Sequence, residues 1–458
     1  DPEMSRGLGD VYKRQSMNGK RRLKMKQLTR LFIPICLETL FYMLSGMVDT
    51  LMLSAVGDYA VGAVGTANSY IGIFIIMFSI ISSGMVSVMT QNIGAGRPGV
   101  AYQARQLGLL FNAVAGVLMA VFLFSGAGAI LRMVGIADAL YEPALIYLKI
   151  VGGGCILNAV IPIFSSYLRA FGYTKQPLYA TIVGNIANFV MNAVFLFVLH
   201  KGVAGVAAAT VISKILNLCI VLYFSHKLIS AKNSTERIAN KTVLGQIVKV
   251  GLPSACETAL YNVAMMLVIR FLNQMDAEGL NVTARSYTAT ISNFSYCVGA
   301  ALAQANAIMT GWHIGAGELE ECDRGTKRAA FVGVCVAVCM ETAIVLGSGF
   351  IMPLFTDNPE MTALVRKLLA IDIVLEIGRV TNLVFGQALK TSGDAVFPAV
   401  IAAVFMFVFA VGGTWLFGIS MGLMAVGAYI GLASDECVRA VGMVWRWKTG
   451  KWRTKKLV

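Results

Sequence analysis

Pro34-Ile-Cys-Leu-Glu38-Thr-Leu-Phe-Tyr42 recurs as Pro253-Ser-Ala-Cys-Glu257-Thr-Ala-Leu-Tyr261, each copy inside a long apolar stretch. Three further pairs follow in the same order: Ile93-Gly-Ala-Gly96 with Ile314-Gly-Ala-Gly317, Leu168-Arg-Ala-Phe-Gly172 with the stretch from Leu389 through Lys390 to Gly393, and Gly202-Val-Ala-Gly-Val206 with Gly422-Leu-Met-Ala-Val426. The four offsets run from 219 to 221 residues. Repeats that keep their order at nearly constant spacing mark a duplicated unit. The chain therefore reads as two similar halves.

Composition says what the halves are made of. Hydrophobic residues make up 57% and charged ones 14%, with mean hydropathy +0.71, whereas soluble domains carry roughly 25% charged residues. That much apolar surface belongs in a bilayer. Long apolar runs predict an all-α polytopic protein of about twelve transmembrane helices, each near the ~20 residues needed to cross. The first half is expected to span 28–53, 60–90, 104–131, 143–169, 177–199 and 203–227. The second is expected to span 244–271, 284–310, 328–352, 362–389, 395–418 and 422–446. Pro34, Pro162 and Pro253 lie within such runs and are candidate bend points.

The expected organisation is a six-helix lobe over 17–229, a cytoplasmic linker over 230–242, a second six-helix lobe over 243–447 and a basic tail over 448–458. Residues 1–16 resemble translated adapter sequence and are expected to be a non-native leader, with a start near Met17. Bases gather on one face. Lys20, Arg21, Arg22, Lys24, Lys26 and Arg30 precede the first span, and Arg446, Lys448, Lys451, Arg453, Lys455 and Lys456 follow the last. The opposite face receives few, among them Arg132, Lys201, Arg270, Arg285, Arg366 and Lys367. The positive-inside rule then places both termini in the cytoplasm. The net charge of +14 is topological and fits anionic lipid headgroups better than nucleic acid.

Several chemistries lack material. The nine cysteines fall mostly inside apolar runs and read as small packing residues, and three histidines near span ends offer little for a metal site or for His-based catalysis. No nucleophile triad, phosphate loop or nucleotide motif is present. The glycines of the two Ile-Gly-Ala-Gly loops suit a tight turn rather than a phosphate cradle. An ATP-driven pump or a membrane enzyme is thus poorly supported, and the chain is expected to be a transporter that draws on an ion gradient, with no cofactor.

Polar residues at membrane depth are costly and normally face a cavity or a partner. Glu38 and Asp49 lie eleven residues apart in the first span, about three turns, so both point to one face. In the fifth span Asn188 and Asn192 share a face, and in the sixth the small-residue run Gly205-Val-Ala-Ala-Ala-Thr210 places a hydroxyl where another helix can approach. One carboxylate, two amides and a hydroxyl form an all-oxygen set able to hold a proton or Na⁺.

Val48-Asp49-Thr50, Asn188-x-x-x-Asn192, Gly205-x-x-x-x-Thr210 and the twelve-span repeat together resemble the multidrug and toxic compound extrusion (MATE) transporters, over about residues 28–446. The resemblance implies two homologous six-helix lobes around a central cavity. It further implies export of cationic or amphipathic compounds against inward H⁺ or Na⁺ flow, by a monomer in the bacterial plasma membrane. It assigns the first-lobe cation site to Asp49, Asn188, Asn192 and Thr210. Some family members carry Asp at the position of Asn192, so the ion stays open between H⁺ and Na⁺.

In the second half Asp372, Glu376 and Arg379 fall at i, i+4 and i+7 and form one polar stripe, in which Arg379 can neutralise one of the two carboxylates. By resemblance, Glu257 and Asp372 are the candidates for coupling through this lobe. Glu341 is a further acid without a matching motif. Each residue also has a plainer reading: Asp49 bracing helices, the amides and Thr210 joining them, the Asp372 stripe as a structural ion pair, and Glu38 and Glu257 solvated near the interface. Two other functions compete with the antiporter. One is a lipid-linked oligosaccharide flippase or narrow metabolite exporter of the same superfamily, for which Arg379 and Lys214 are the few basic candidates at depth. The other is a non-transporting sensor or scaffold, which would not need a repeated lobe with deep acids.

Overall fold

The computed structural model describes residues 25–134, 136–229, 236–276 and 279–458, which form helices joined by short turns, with no strand among them. The expected leader, the bases Lys20, Arg21, Arg22 and Lys24, and residues 230–235 of the expected linker lie outside this range. The first half comprises α1 (Met25–Ser54), α2 (Asp58–Gly94), α3 (Pro98–Val134), α4 (Asp138–Gly153), α5 (Cys155–Ala170), α6 (Lys175–Ala193) and α7 (Gly202–Leu228). The second comprises α8 (Asn240–Met275), α9 (Leu280–Gly315), α10 (Leu319–Ile351), α11 (Pro359–Ser392), α12 (Val396–Phe405) and α13 (Met424–Lys448). Wide π turns extend α6 through Val198 and α12 through Ser420.

The twelve expected spans are all present, most running a few residues past the apolar run. Among the described residues eight helices are long and apolar enough to cross a membrane, nine spans once the bent pair α4–α5 is counted as one. The remaining three, α9, α11 and α13, are long but polar, and all belong to the second half. The fourth span is broken, α4 and α5 meeting at 41°. The break falls at Gly154, the last of three consecutive glycines, while α5 runs on through Pro162.

Two compact units result, one ending at Gly251 and the other starting at Leu252, so the boundary falls inside α8. In the first unit the opening turns of α8 cross α2 at backbone contact. A Cβ on Gly251 would collide with the Ile80 carbonyl oxygen, and one on Gly84 with that of Ile247. The Gln103 side chain holds the segment before α8 from both sides, its amide donating to the Ile238 oxygen (2.6 Å) and its oxygen accepting from the Ile238 N–H (3.2 Å). The core of this unit gathers Phe78, Leu123, Leu131, Leu148 and Cys155. In the second unit α11 packs against α9, α10 and α13 around Leu272, Met352, Leu368, Leu369 and Tyr429. Its expected basic tail is docked there: Trp452 is buried and stacks on Trp447 at 4.2 Å, and Leu457 is buried as well.

The duplication is visible in the turns. Gly96 and Gly317 close the two Ile-Gly-Ala-Gly motifs at φ +78° and +76°, and Gly172 and Gly393 close the next pair at +87° and +97°. Each lets the helix end in a left-handed residue that satisfies orphan carbonyls, as Tyr173 N–H does to the Leu168 oxygen and Asp394 N–H to that of Leu389.

Candidate cation-binding sites in the two lobes

The four first-lobe candidates come from three helices, α1, α6 and α7. Asn192 on α6 is fully buried, and its Nδ2 donates to Asp49 Oδ1 on α1 (2.8 Å) and to Asn188 Oδ1 (3.2 Å), one turn back. The Asn192 Oδ1 atom is buried without a hydrogen-bond partner. Thr210 on α7 donates its hydroxyl to the Val206 carbonyl (2.9 Å), which leaves the oxygen's lone pairs available. The buried Tyr147 of α4 lies beside Asn68 and Thr210, with Asp49 within electrostatic reach. One turn beyond Thr210, Lys214 donates from Nζ to Asn158 Oδ1 on α5 (2.8 Å), with Asp49 and Cys155 within electrostatic reach. Sequence reasoning missed Tyr147 and Asn158, and it noted Lys214 only as a base at depth. The i, i+4 step from Thr210 to Lys214 was the signal that put the ammonium on this face.

Glu38 lies apart from that group. Arg169 Nη2 reaches its Oε1 at 2.6 Å, joining α1 to the end of α5. In the second lobe Glu257 meets Lys390 at the matching place, Nζ to Oε2 at 2.8 Å, joining α8 to the end of α11, a charge contact without hydrogen-bond angles. The repeated motifs with which the reading began thus meet each other within each lobe as an acid–base pair.

The other second-lobe candidates form a denser network. Arg379 pairs with Glu376 on its own helix, lies 3.7 Å from Glu436 Oε1 of α13, and sits over the Tyr296 ring of α9. Arg439 of α13 grips Asp435 with two hydrogen bonds, 3.0 and 2.7 Å, and reaches Glu436 at 2.8 Å. Glu436 also accepts from Asn382 at 3.0 Å. Asp372 is buried with Ser292 beside it, and its Oδ2 has no hydrogen-bond partner. Glu341 of α10 is fully buried and both its oxygens lack a hydrogen-bond partner, although Ser295 lies close by and Asp372 and Glu376 are its charged neighbours. The structure therefore groups Asp372 with Glu376, Glu341 and Glu436, and places Glu257 with Lys390. Sequence reasoning did not single out Asp435, Glu436 and Arg439. Their spacing on one helix is a stripe of the kind that revealed Asp372, Glu376 and Arg379.

Duplicated six-helix lobes with oxygen-rich side-chain groups inside their spans define a polytopic membrane transporter. The MatE family profile matches residues 34–194 and 253–416, and the chain belongs to that family, the MATE transporters, whose members are transporters rather than enzymes and need no cofactor. It is 32% identical over 428 residues to the uncharacterized transporter YisQ of Bacillus subtilis, covering 92% of this chain and 94% of that protein. It is also 20% identical over 446 residues to the probable multidrug resistance protein NorM of Thermotoga maritima, with 94% of each covered. The fold matches an outward-facing multidrug resistance MATE family transporter of the MOP superfamily, with TM-score 0.81 at 21% identity over 93% of this chain and 96% of that one.

Proposed function

We propose that this protein is a secondary active efflux transporter that exports cationic or amphipathic small molecules by antiport with H⁺ or Na⁺, with no further cofactor. It acts as a monomer in the bacterial plasma membrane with both termini cytoplasmic. The observation that carries this reading is the Asp49 carboxylate at membrane depth, held by the buried Asn192 amide with Asn188 and Thr210 in the same lobe. A buried carboxylate is stable only when paired or neutralised. An ion that arrives at Asp49 removes that charge and lets α1, α6 and α7 repack, which lowers affinity for a cationic cargo. Antiport follows when ion and cargo prefer different conformations. The second-lobe acids Asp372 and Glu376, with Arg379, stand as a further coupling or cargo-binding group, and Glu38 and Glu257 as paired residues that hold helix ends.

The test is efflux of ethidium, as a fluorescent cation, from everted vesicles or cells under separately imposed proton and sodium gradients, comparing wild type with Asp49→Asn. Efflux driven by one gradient and lost in the variant is the expected result. Efflux at the wild-type rate in Asp49→Asn would sink the site assignment. No efflux under either gradient, with protein confirmed in the membrane, would move the reading to a flippase or a narrow metabolite exporter.

A further inference from the structure

We propose that Lys214 is the resident cation of the first-lobe site, a tethered ammonium that answers Asp49 and keeps Na⁺ out of this lobe. The inference deepens the reading of Asp49 as a coupling site and rests on it. Lys214 is half-buried on α7, one turn beyond Thr210, and its Nζ is fixed 2.8 Å from Asn158 Oδ1. Charged and titratable groups facing it are few. Asp49 stands on α1 and Cys155 on α5, with Tyr147 on α4 nearer to Thr210, while α6 contributes only the amides Asn188 and Asn192. Asp49 is thus the carboxylate within electrostatic reach of this ammonium, and the two charges act on each other. The Glu38 carboxylate on the same helix is already engaged by Arg169.

A dehydrated Na⁺ requires several oxygens with net negative field. Here the ammonium has taken Asn158 Oδ1 and offsets the single negative charge. At an effective dielectric of about 20, a unit positive charge within several ångströms weakens binding of a second monovalent cation by on the order of 10²-fold. The oxygen set that the sequence offers to Na⁺ is therefore already balanced from within the chain. Any Na⁺ dependence of this protein then originates in the second lobe, where Glu341 and Asp372 present oxygens without hydrogen-bond partners.

The experiment is binding of ²²Na⁺ to the purified full-length protein in detergent, which needs no knowledge of the cargo. Wild type and Asp49→Asn should bind the same amount, because the site is closed in both. Lys214→Gln, which can still hydrogen bond to Asn158, should gain about one Na⁺ per chain at saturation, and Lys214→Gln combined with Asp49→Asn should lose it again. Lys214→Arg should behave as wild type. Wild type binding more Na⁺ than Asp49→Asn overturns the proposal, as does a monodisperse Lys214→Gln without the gain. Should Lys214→Gln not fold, Lys214→Met, which keeps the stem and drops the charge, takes its place with the same gain expected. Failure of the underlying reading has a different signature, ethidium efflux that survives Asp49→Asn whatever the Na⁺ binding shows.

Discussion

The two lobes share a frame and differ in what they bury. Both keep the left-handed glycine turns and the acid–base pair between the first span and the end of the fourth, Glu38 with Arg169 and Glu257 with Lys390. Inside that frame the chemistry diverges. At the repeat offset of 221 residues, Cys155 and Asn158 of α5 correspond to Glu376 and Arg379 of α11, and at the offset of 219 Asp49 corresponds to the buried Val268. Besides that latch and the buried Arg105, the first lobe holds the half-buried Asp49 and Lys214 among neutral oxygens. The second carries five buried or nearly buried acids, Glu341, Asp372, Glu376, Asp435 and Glu436, against Arg379 and Arg439. Turns and end-latches fix how helices pack and were retained in both copies. The interior faces of the same helices are free to change charge without changing the fold.

The contrast should show most strongly at Arg379. It touches Glu376, approaches Glu436 and stacks over Tyr296, so Arg379→Ala leaves buried carboxylates unanswered, a change that typically costs about 3–5 kcal/mol. Thermal unfolding in detergent should register that loss. Lys214→Gln in the first lobe should cost less than half as much, because its direct contact is an amide and Asp49 keeps the Asn192 hydrogen bond. Equal losses would mean that the two interiors are electrostatically alike after all.

A smaller difference is expected at the shared latch. Glu38→Gln removes a charge-assisted hydrogen bond from Arg169, worth about 1.5–3 kcal/mol. Glu257→Gln removes a charge contact that lacks hydrogen-bond angles, nearer the ~1 kcal/mol of a partly exposed pair. Both should lower the unfolding temperature, Glu38→Gln by more. Reversal of that order would show that Lys390 binds Glu257 more tightly than the contact suggests.

How far the sequence could be read follows from which signals are local. Span number and limits are statements about apolar runs, and the glycine turns are statements about single residues, so both were readable and the structure contains them. The bend at Gly154 was not anticipated, since a proline draws attention as a breaker and three glycines in an apolar run do not. Asp49, Asn188 and Asn192 were readable as a group because i, i+4 spacing and a family-like motif coincide. Tyr147 and Asn158 were not, because their contacts join helices more than fifty residues apart in sequence, whereas the α13 stripe of Asp435, Glu436 and Arg439 was present in local spacing and only its contact with Asn382 needed the fold. The pairing of Glu38 with Arg169 lay between the two cases: both residues stood in the repeats, but only the fold brings one motif onto the other.

The smallest effect is expected where the acid excess of the second lobe is most exposed to doubt. Glu341 is fully buried, neither oxygen has a hydrogen-bond partner, and its charged neighbours Asp372 and Glu376 carry the same sign. No hydrogen bond is lost when a group in that position is replaced. Glu341→Gln keeps the shape of the side chain, breaks no hydrogen bond and should change stability by no more than about 1 kcal/mol in either direction, read by thermal unfolding at neutral pH in a Na⁺-free buffer. The same measurement in Na⁺ adds a second axis. If the variant is neutral without Na⁺ but loses a Na⁺-dependent stabilisation that wild type shows, the lone acid is where the second lobe receives its ion. If it is destabilised by more than about 2 kcal/mol in both buffers, Glu341 is ionised and tied to a partner, and the contrast between a balanced first lobe and an acid-rich second lobe fails at its clearest residue.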